Sequence, residues 1–383
     1  MILTADRLLT PERTLAPGWV RVEGTRIFEV GEGGPPAPAE RHLTGTLTPG
    51  LVDIHCHGGG GASFTAGDVR EARRVADAHL AHGTTSLVAS LVTDEVGELE
   101  RSIRALRGLV DDGVLAGLHL EGPWLAQDFC GAHEASLLRP PSPEDVHRLL
   151  VAGGDALRMV TLAPELHGAL DAVRTIVGSG VVVGVGHTDA TWEQTRAAID
   201  AGASVATHLY NQIRGLHHRR PGPIAALLED DRVWVELISD GVHVHPAMLR
   251  LALRSAPGRI VLVTDAMGAA AAADGDYHLG PIHVQVRDGV ARTPTGAIAG
   301  STLTSAAAVR HSVASGFTLE EALDAATRAP AVALGLDDVG QVTPGRRADL
   351  VALDGELRVR AVMRAGRWVG RRNVWDADDV ERG

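Results

Sequence analysis

The chain contains no lysine; all 36 of its basic residues are arginine. Lysine Schiff-base chemistry is therefore excluded. So is a P-loop, whose lysine must reach the phosphates. A metal site bridged by a carboxylated lysine is excluded as well. Cysteine is nearly absent: Cys56 and Cys130 stand alone, which rules out a disulfide framework and favours a reducing compartment. Positive charge is in deficit, with 48 acidic residues and a net charge of −12. Neither a nucleic acid nor an anionic membrane fits as the main partner, because both need clustered positive charge. No stretch approaches the ~18 consecutive apolar residues of a membrane span. The first ten residues carry Asp6 and Arg7 ahead of any long apolar run and do not read as a signal peptide, so the expected location is the cytoplasm. Aromatics make up only 3% of the 383 residues, whereas histidine is plentiful at 18.

Hydrophobic periodicity divides the chain. Residues 1–48 read as short strands, with Trp19–Glu23 and Arg26–Val30 alternating around a glycine turn, followed by a Pro- and Gly-rich link over 31–38. The C-terminal end reads alike, with strands at 348–353 and 360–364 and a turn at Gly366. The two ends are expected to pair into one small β unit. Between them lie eight apolar, β-branched runs at 51–57, 84–89, 114–120, 157–163, 181–186, 204–209, 233–239 and 260–265. Ala-, Leu- and Arg-rich stretches with helical spacing separate them, as at 66–82, 95–110 and 190–201. Near-continuous apolar runs are the pattern of parallel strands buried on both faces. The expected fold is α/β: a (β/α)8 TIM-like barrel over 49–335, with a small β-sandwich domain built from 1–48 and 336–383. A doubly wound open sheet is the rival.

Polar residues at the strand ends favour the barrel. His55 and His57 flank Cys56, and residues i and i+2 of a strand point to one side. Further runs end in His119-Leu120-Glu121, Gly186-His187-Thr188, Thr207-His208-Leu209, Ser239-Asp240-Gly241 and Thr264-Asp265. In a barrel the C-terminal strand ends ring one mouth, where active sites sit. Such a collection does not suit core packing, since buried charges need partners. A closed structural metal site would be richer in cysteine. The arrangement suggests two adjacent divalent ions. His55 and His57 hold one, completed by Asp265; His187 and His208 hold the other; Glu121 is the anionic bridge. Imidazole and carboxylate donors suit Zn2+, with Fe2+, Mn2+ or Co2+ as competitors and one or two ions per subunit. Strand alternation turns Cys56 away from the ligand side, into the core. Gly58–Gly61 reads as a flexible loop rather than a phosphate cradle.

These segments resemble the amidohydrolase superfamily, and within it the N-acetylglucosamine-6-phosphate deacetylase family. The resemblance rests on Pro49-Gly50-Leu51-Val52-Asp53-Ile54-His55-Cys56-His57-Gly58, His119-Leu120-Glu121-Gly122-Pro123, Gly186-His187-Thr188, Thr207-His208-Leu209-Tyr210-Asn211, Asp240-Gly241-Val242-His243, Val263-Thr264-Asp265-Ala266 and Ala299-Gly300-Ser301. It implies metal-dependent removal of acetate from an amino sugar phosphate by a homodimer. Asp265 would act as general acid and base, and His133 as a catalytic, oxyanion- or hydroxyl-contacting residue. Arg219 would reach the neighbouring subunit's site to bind phosphate. His243, Ala132, Asn211, Gln212, Ile298, Ala299 and Gly300 would line the sugar pocket. One departure stands out: many members read Asn-Ala-Met where this chain reads Asn211-Gln212-Ile213, which puts sugar selectivity in question. Arg214 adds charge either to the phosphate site or merely to the loop, and the plainer reading is the loop. The galactosamine epimer, an N-acyl-D-amino-acid deacylase and a cyclic amidase are rival substrate readings, the last weakened by the missing lysine. A non-catalytic sugar-phosphate sensor is a rival of another class, against which Asp265 speaks. A serine hydrolase is disfavoured because no GxSxG occurs.

Overall fold

A computed structural model describes residues 1–370. Eight parallel strands form the central sheet: β1 (Leu51–Cys56), β2 (Thr84–Val92), β3 (Gly117–Glu121), β4 (Leu157–Leu162), β5 (Val182–Val185), β6 (Val205–Ala206), β7 (Trp234–Ile238) and β8 (Ile260–Val263). Each is followed by a helix: α1 (Val69–Ala81), α2 (Val96–Asp111), α3 (Pro143–Gly153), α4 (Ala169–Gly178), α5 (Trp192–Asp200), α6 (Gly222–Glu229), α7 (Pro246–Ser255) and α8 (Ser305–Ala314). Every residue of β1, β2, β3 and β8 is buried, as strands covered on both faces require. The barrel closes just beyond β8. There the Asp265 N–H donates to the His55 carbonyl at 2.8 Å, and the His57 N–H donates to Ala266 at 2.8 Å. Buried Asp53 braces this seam by accepting from the Thr264 hydroxyl at 2.5 Å.

The helices follow local sequence signals. Asp68 caps α1 by accepting from the Arg70 and Glu71 amides, and Thr191 with Gln194 forms a capping box on α5. Such caps contribute about 1 kcal/mol each. Among the described residues, no helix is long and apolar enough to cross a membrane.

Both chain ends enter one mixed sheet, as expected. Strand Ile2–Leu9 pairs in parallel with Arg41–Pro49, which pairs antiparallel with Leu350–Leu353. The edge strand Arg26–Glu32 returns to the other end through the Arg26–Arg347 bridge. The folded sheet thereby encloses its own core of Leu3, Leu8, Val20, Leu43, Leu350 and Met363. Residues 371–383 of the C-terminal β unit lie outside the described residues.

Two features differ from the sequence reading. A three-stranded antiparallel sheet (Gly275–Leu279, Ile282–Arg287, Val290–Arg292) is inserted between β8 and α8. The Gly58–Gly61 run is not a flexible loop. Gly58 and Gly59 pair with Ala62 and Ser63, and the Gly60 and Gly61 amides donate to Ala270 and Gly268. Glycine is needed for close approach: a Cβ at Gly59 would lie 2.6 Å from Nε2 of fully buried His79. Gly59→Ala should cost ~1–3 kcal/mol of stability, the usual penalty of overpacking. Urea unfolding reads this directly, and an unchanged midpoint would mean that the turn yields freely.

Candidate active site

The parallel register puts the ends of β1, β3, β5, β6 and β8 at one mouth. His55 and His57 share a face of β1, with their Nε2 atoms 3.1 Å apart. Cys56 faces the other way, its Sγ 3.4 Å from His79 Nε2 on α1. Glu121 closes β3 and touches both halves of the site. Its Oε1 lies 3.1 Å from His187 Nε2 and 2.8 Å from His208 Nε2, and its Oε2 lies 3.1 Å from His57 Nε2. Asp265 Oδ1 lies 3.2 Å from His57 Nε2 and 3.7 Å from His55 Nε2. The six residues expected to be ligands are thus brought together. His119, also at the end of an apolar run, is not among them. It sits below the mouth, between the Ser90 and Thr161 hydroxyls at 2.9 Å each.

Backbone strain aims three of these side chains. His187, His208 and Asp265 have φ of 48°, 28° and 47°. Non-glycine residues in this left-handed region cost on the order of 1–3 kcal/mol each and persist only where the surroundings dictate them. At Asp265 those surroundings are visible: its N–H is held by His55 and its carbonyl accepts from Ser301.

The charge balance is that of a cation cage. Burial favours neutral groups, yet Glu121 is held well below the usual carboxylate range by His55, His133 and the other imidazoles facing it. Asp265 is held low in the same way by His55 and His57. Despite burial, the carboxylates keep His55 well above its ordinary value and push His57 up to about 9. Buried His187 instead falls to about 4. Two carboxylates therefore demand positive charge inside a ring of imidazoles, which protons or a metal ion supply.

Tautomers separate three of these imidazoles from that of His133. His55 Nδ1–H donates to Glu236 Oε2 at 3.1 Å, His57 Nδ1–H to the Ser90 carbonyl at 3.1 Å, and His187 Nδ1–H to the Phe129 carbonyl at 2.8 Å. Each of these three turns its Nε2 toward the carboxylates, the orientation of metal-ligating histidines. His133 is opposite. Its Nδ1 accepts the Thr93 amide at 3.3 Å, which places the proton on Nε2, 3.3 Å from Glu121 Oε2. Although His133 stands close enough to join Glu121 and His187 as a donor group, it is set up to donate a hydrogen bond rather than to ligate. His55, His57 and Asp265 form a second compact donor set. The donor types and their orientation fit a divalent cation.

Above this floor opens a cavity of about 280 Å³. Gly131, Ala132, His133, Asn211, Gln212 and His243 line it, with Tyr210, Leu279, Ala297, Ile298 and Gly300. His243 is oriented by Asp240, whose Oδ2 accepts from Nδ1 at 2.6 Å. Two expected residues are not on this wall. Ala299 turns into a buried cluster with Met267 and Val284, and its amide donates to Ala291. Arg219 is exposed on the loop after β6 and does not line this chain's cavity. Arg214 is a loop charge: its guanidinium takes both carboxylate oxygens of Asp189 at 2.7 and 2.6 Å. Gly131, Tyr210, Leu279 and Ala297 were missed. The last two come from the inserted sheet and its following turn, which carry no motif.

Fold and site define a metal-dependent hydrolase of the barrel type. The model of the amidohydrolase family matches residues 46–369. N-acetylgalactosamine-6-phosphate deacetylase of Escherichia coli O157:H7 is 42% identical over 94% of this chain and 97% of its own. N-acetylglucosamine-6-phosphate deacetylase of Vibrio furnissii is 36% identical over 86% and 83%. The structure of a mutant N-acetyl-D-glucosamine-6-phosphate deacetylase from Mycobacterium smegmatis, in complex with N-acetyl-D-glucosamine-6-phosphate, superposes with a TM-score of 0.95. It is 49% identical and covers 97% of this chain and 99% of that one. The chain belongs to the amidohydrolase family, in the branch of these amino-sugar-phosphate deacetylases.

Proposed function

We propose that the protein hydrolyses the acetamide of N-acetyl-D-glucosamine 6-phosphate to D-glucosamine 6-phosphate and acetate. The observation that carries the reaction is the convergence of Asp265, Glu121 and the donor-competent Nε2–H of His133 on one cavity. The substrate is supported by the likeness to the M. smegmatis enzyme.

His55, His57 and Asp265 would hold one divalent ion, and Glu121, His187 and His208 a second, with Zn2+ the best match to the donor set. When bound, such an ion lowers the pKa of water to about 7 and polarises a carbonyl. Ionised Asp265 accepts a proton from the attacking water and then delivers it to the departing amine nitrogen. His133 Nε2–H donates to the oxygen that gains charge in the tetrahedral intermediate. Asn211, Gln212, His243 and the Ile298–Gly300 turn hold the sugar. A phosphate needs a fixed cation, and among the described residues no arginine lines the cavity within one chain. Arg219 of a second copy would supply it, which makes the working form a homodimer. The reading includes a cytoplasmic setting, supported by two cysteines that are free thiols.

A second reading, the galactosamine epimer, is favoured by the 42% identity to the E. coli enzyme. Gln212 lines the cavity in place of the residue many family members carry there. Amine release should be measured on both sugar phosphates and on unphosphorylated N-acetylglucosamine, after chelation and after Zn2+ is restored. The expected result is Zn2+-dependent turnover of the glucosamine phosphate, at least tenfold above the unphosphorylated sugar, the value of about 1.4 kcal/mol of phosphate binding. Faster turnover of the galactosamine phosphate would select the second reading. No turnover of either would end the sugar-phosphate assignment.

A further inference from the structure

Glu236 lies in the middle of β7 and is fully buried. It is a lone charge in the apolar run Trp234-Val235-Glu236-Leu237-Ile238. A carboxylate in such a place needs compensation. No arginine pairs with it among the described residues. Among the described residues its Oε2 accepts from two groups: His55 Nδ1–H at 3.1 Å and the backbone N–H of His208 at 3.1 Å. The Glu236 carbonyl also accepts from the Leu209 amide at 2.8 Å. One side chain thus ties the imidazole of β1 to the strained turn after β6, where His208 has a φ of 28°. Those two residues belong to different halves of the ligand set.

The partner types are unequal. His57 and His187 donate Nδ1–H to neutral backbone carbonyls, whereas His55 donates to a carboxylate. An anionic partner strengthens an imidazole as a ligand more than a carbonyl does. Among the described residues Glu236 Oε1 has no hydrogen-bond partner, so the side chain's hydrogen bonding is directed wholly at His55 and the His208 amide.

We propose that Glu236 is a positioning residue whose charge sets the affinity of the ion held by His55, His57 and Asp265, while its two hydrogen bonds align His55 with His208. This rests on the two-cluster metal reading above. Glu236→Gln separates charge from geometry: an amide oxygen still accepts from both donors, but the charge is gone.

The test uses full-length apoprotein titrated with Zn2+ against a chromophoric chelator, together with melting curves with and without metal. Glu236→Gln is expected to weaken one ion by ~10–100-fold, the usual effect of such partners. Melting of the metal-loaded form should fall further than that of the apo form, because weakened binding adds to whatever breaking the buried charge pair costs both. In a His57→Ala background, where that ion is already lost, Glu236→Gln should have no further effect on metal affinity. Wild-type affinity in Glu236→Gln, or an undiminished effect in the His57→Ala background, overturns the proposal. A parallel fall of apo and metal-loaded melting with unchanged affinity also overturns it, since that marks a merely structural residue. If the wild-type protein itself binds no Zn2+ tightly, the metal reading fails instead.

Discussion

Asp265→Asn is expected to lower kcat by ~10²–10⁴, the range removed with a general acid–base group, while KM stays near the wild-type value. The asymmetry follows from geometry. Asp265 lies at the floor, 3.2 Å from His57 Nε2, and the residues proposed to hold the sugar line the wall above it. Asn has the same shape and offers an oxygen to a cation, but it cannot accept the water's proton. Its backbone position is set by hydrogen bonds to His55 and Ser301, not by the carboxylate, so the φ of 47° should survive the substitution. Metal content must be measured alongside. Loss of kcat with the metal retained supports the proton-transfer role. Equal loss of kcat and metal would reduce Asp265 to a ligand, and near-normal turnover would remove it from the mechanism.

The second large effect concerns Arg219. Arg219→Ala should reduce kcat/KM for the phosphorylated sugar by ~10–100-fold, the worth of one charged hydrogen-bonding partner. It should leave the slow reaction of the unphosphorylated sugar unchanged. The residue is exposed and does not line its own chain's cavity, so under the proposed homodimer the loss arises across the interface. A heterodimer purified through two tags tests this. One subunit carries Arg219→Ala and the other Asp265→Asn. If Arg219 serves the partner's site, one of the two sites is intact and about half the wild-type activity returns, as two-fold symmetry requires. Activity no higher than the sum of the two parent variants would place Arg219 elsewhere.

The readable part of this protein was the part governed by local periodicity. Runs of β-branched residues bounded by helical spacing marked all eight strands to within a few residues, and the i, i+2 rule put His55 and His57 on one side with Cys56 opposite. Polar residues at strand ends then marked the floor of the site, because in a parallel barrel those ends share one mouth. Short strands were harder. β6 holds only Val205–Ala206, and the inserted sheet at 275–292 alternates, as in Ile282–Arg287 with Val284 and Val286 buried, so it lacks the near-continuous apolar run that marked the barrel strands.

What the chain determined by itself was therefore the class of fold, the six polar residues that meet at the floor of the site and the exclusion of any lysine chemistry. What only the tertiary structure decided was how those residues are held and which neighbours reach them. His55 meets Glu236 across 181 positions of sequence, and the Nδ1 of His133 meets Thr93 across 40. Ala299 and Gly300 are adjacent, yet one faces the core and the other the cavity. The physical reason is that periodicity reports which side of its own element a residue occupies. Tautomer, backbone strain and access to the cavity depend on which elements are packed opposite, and barrel closure alone brings those elements together.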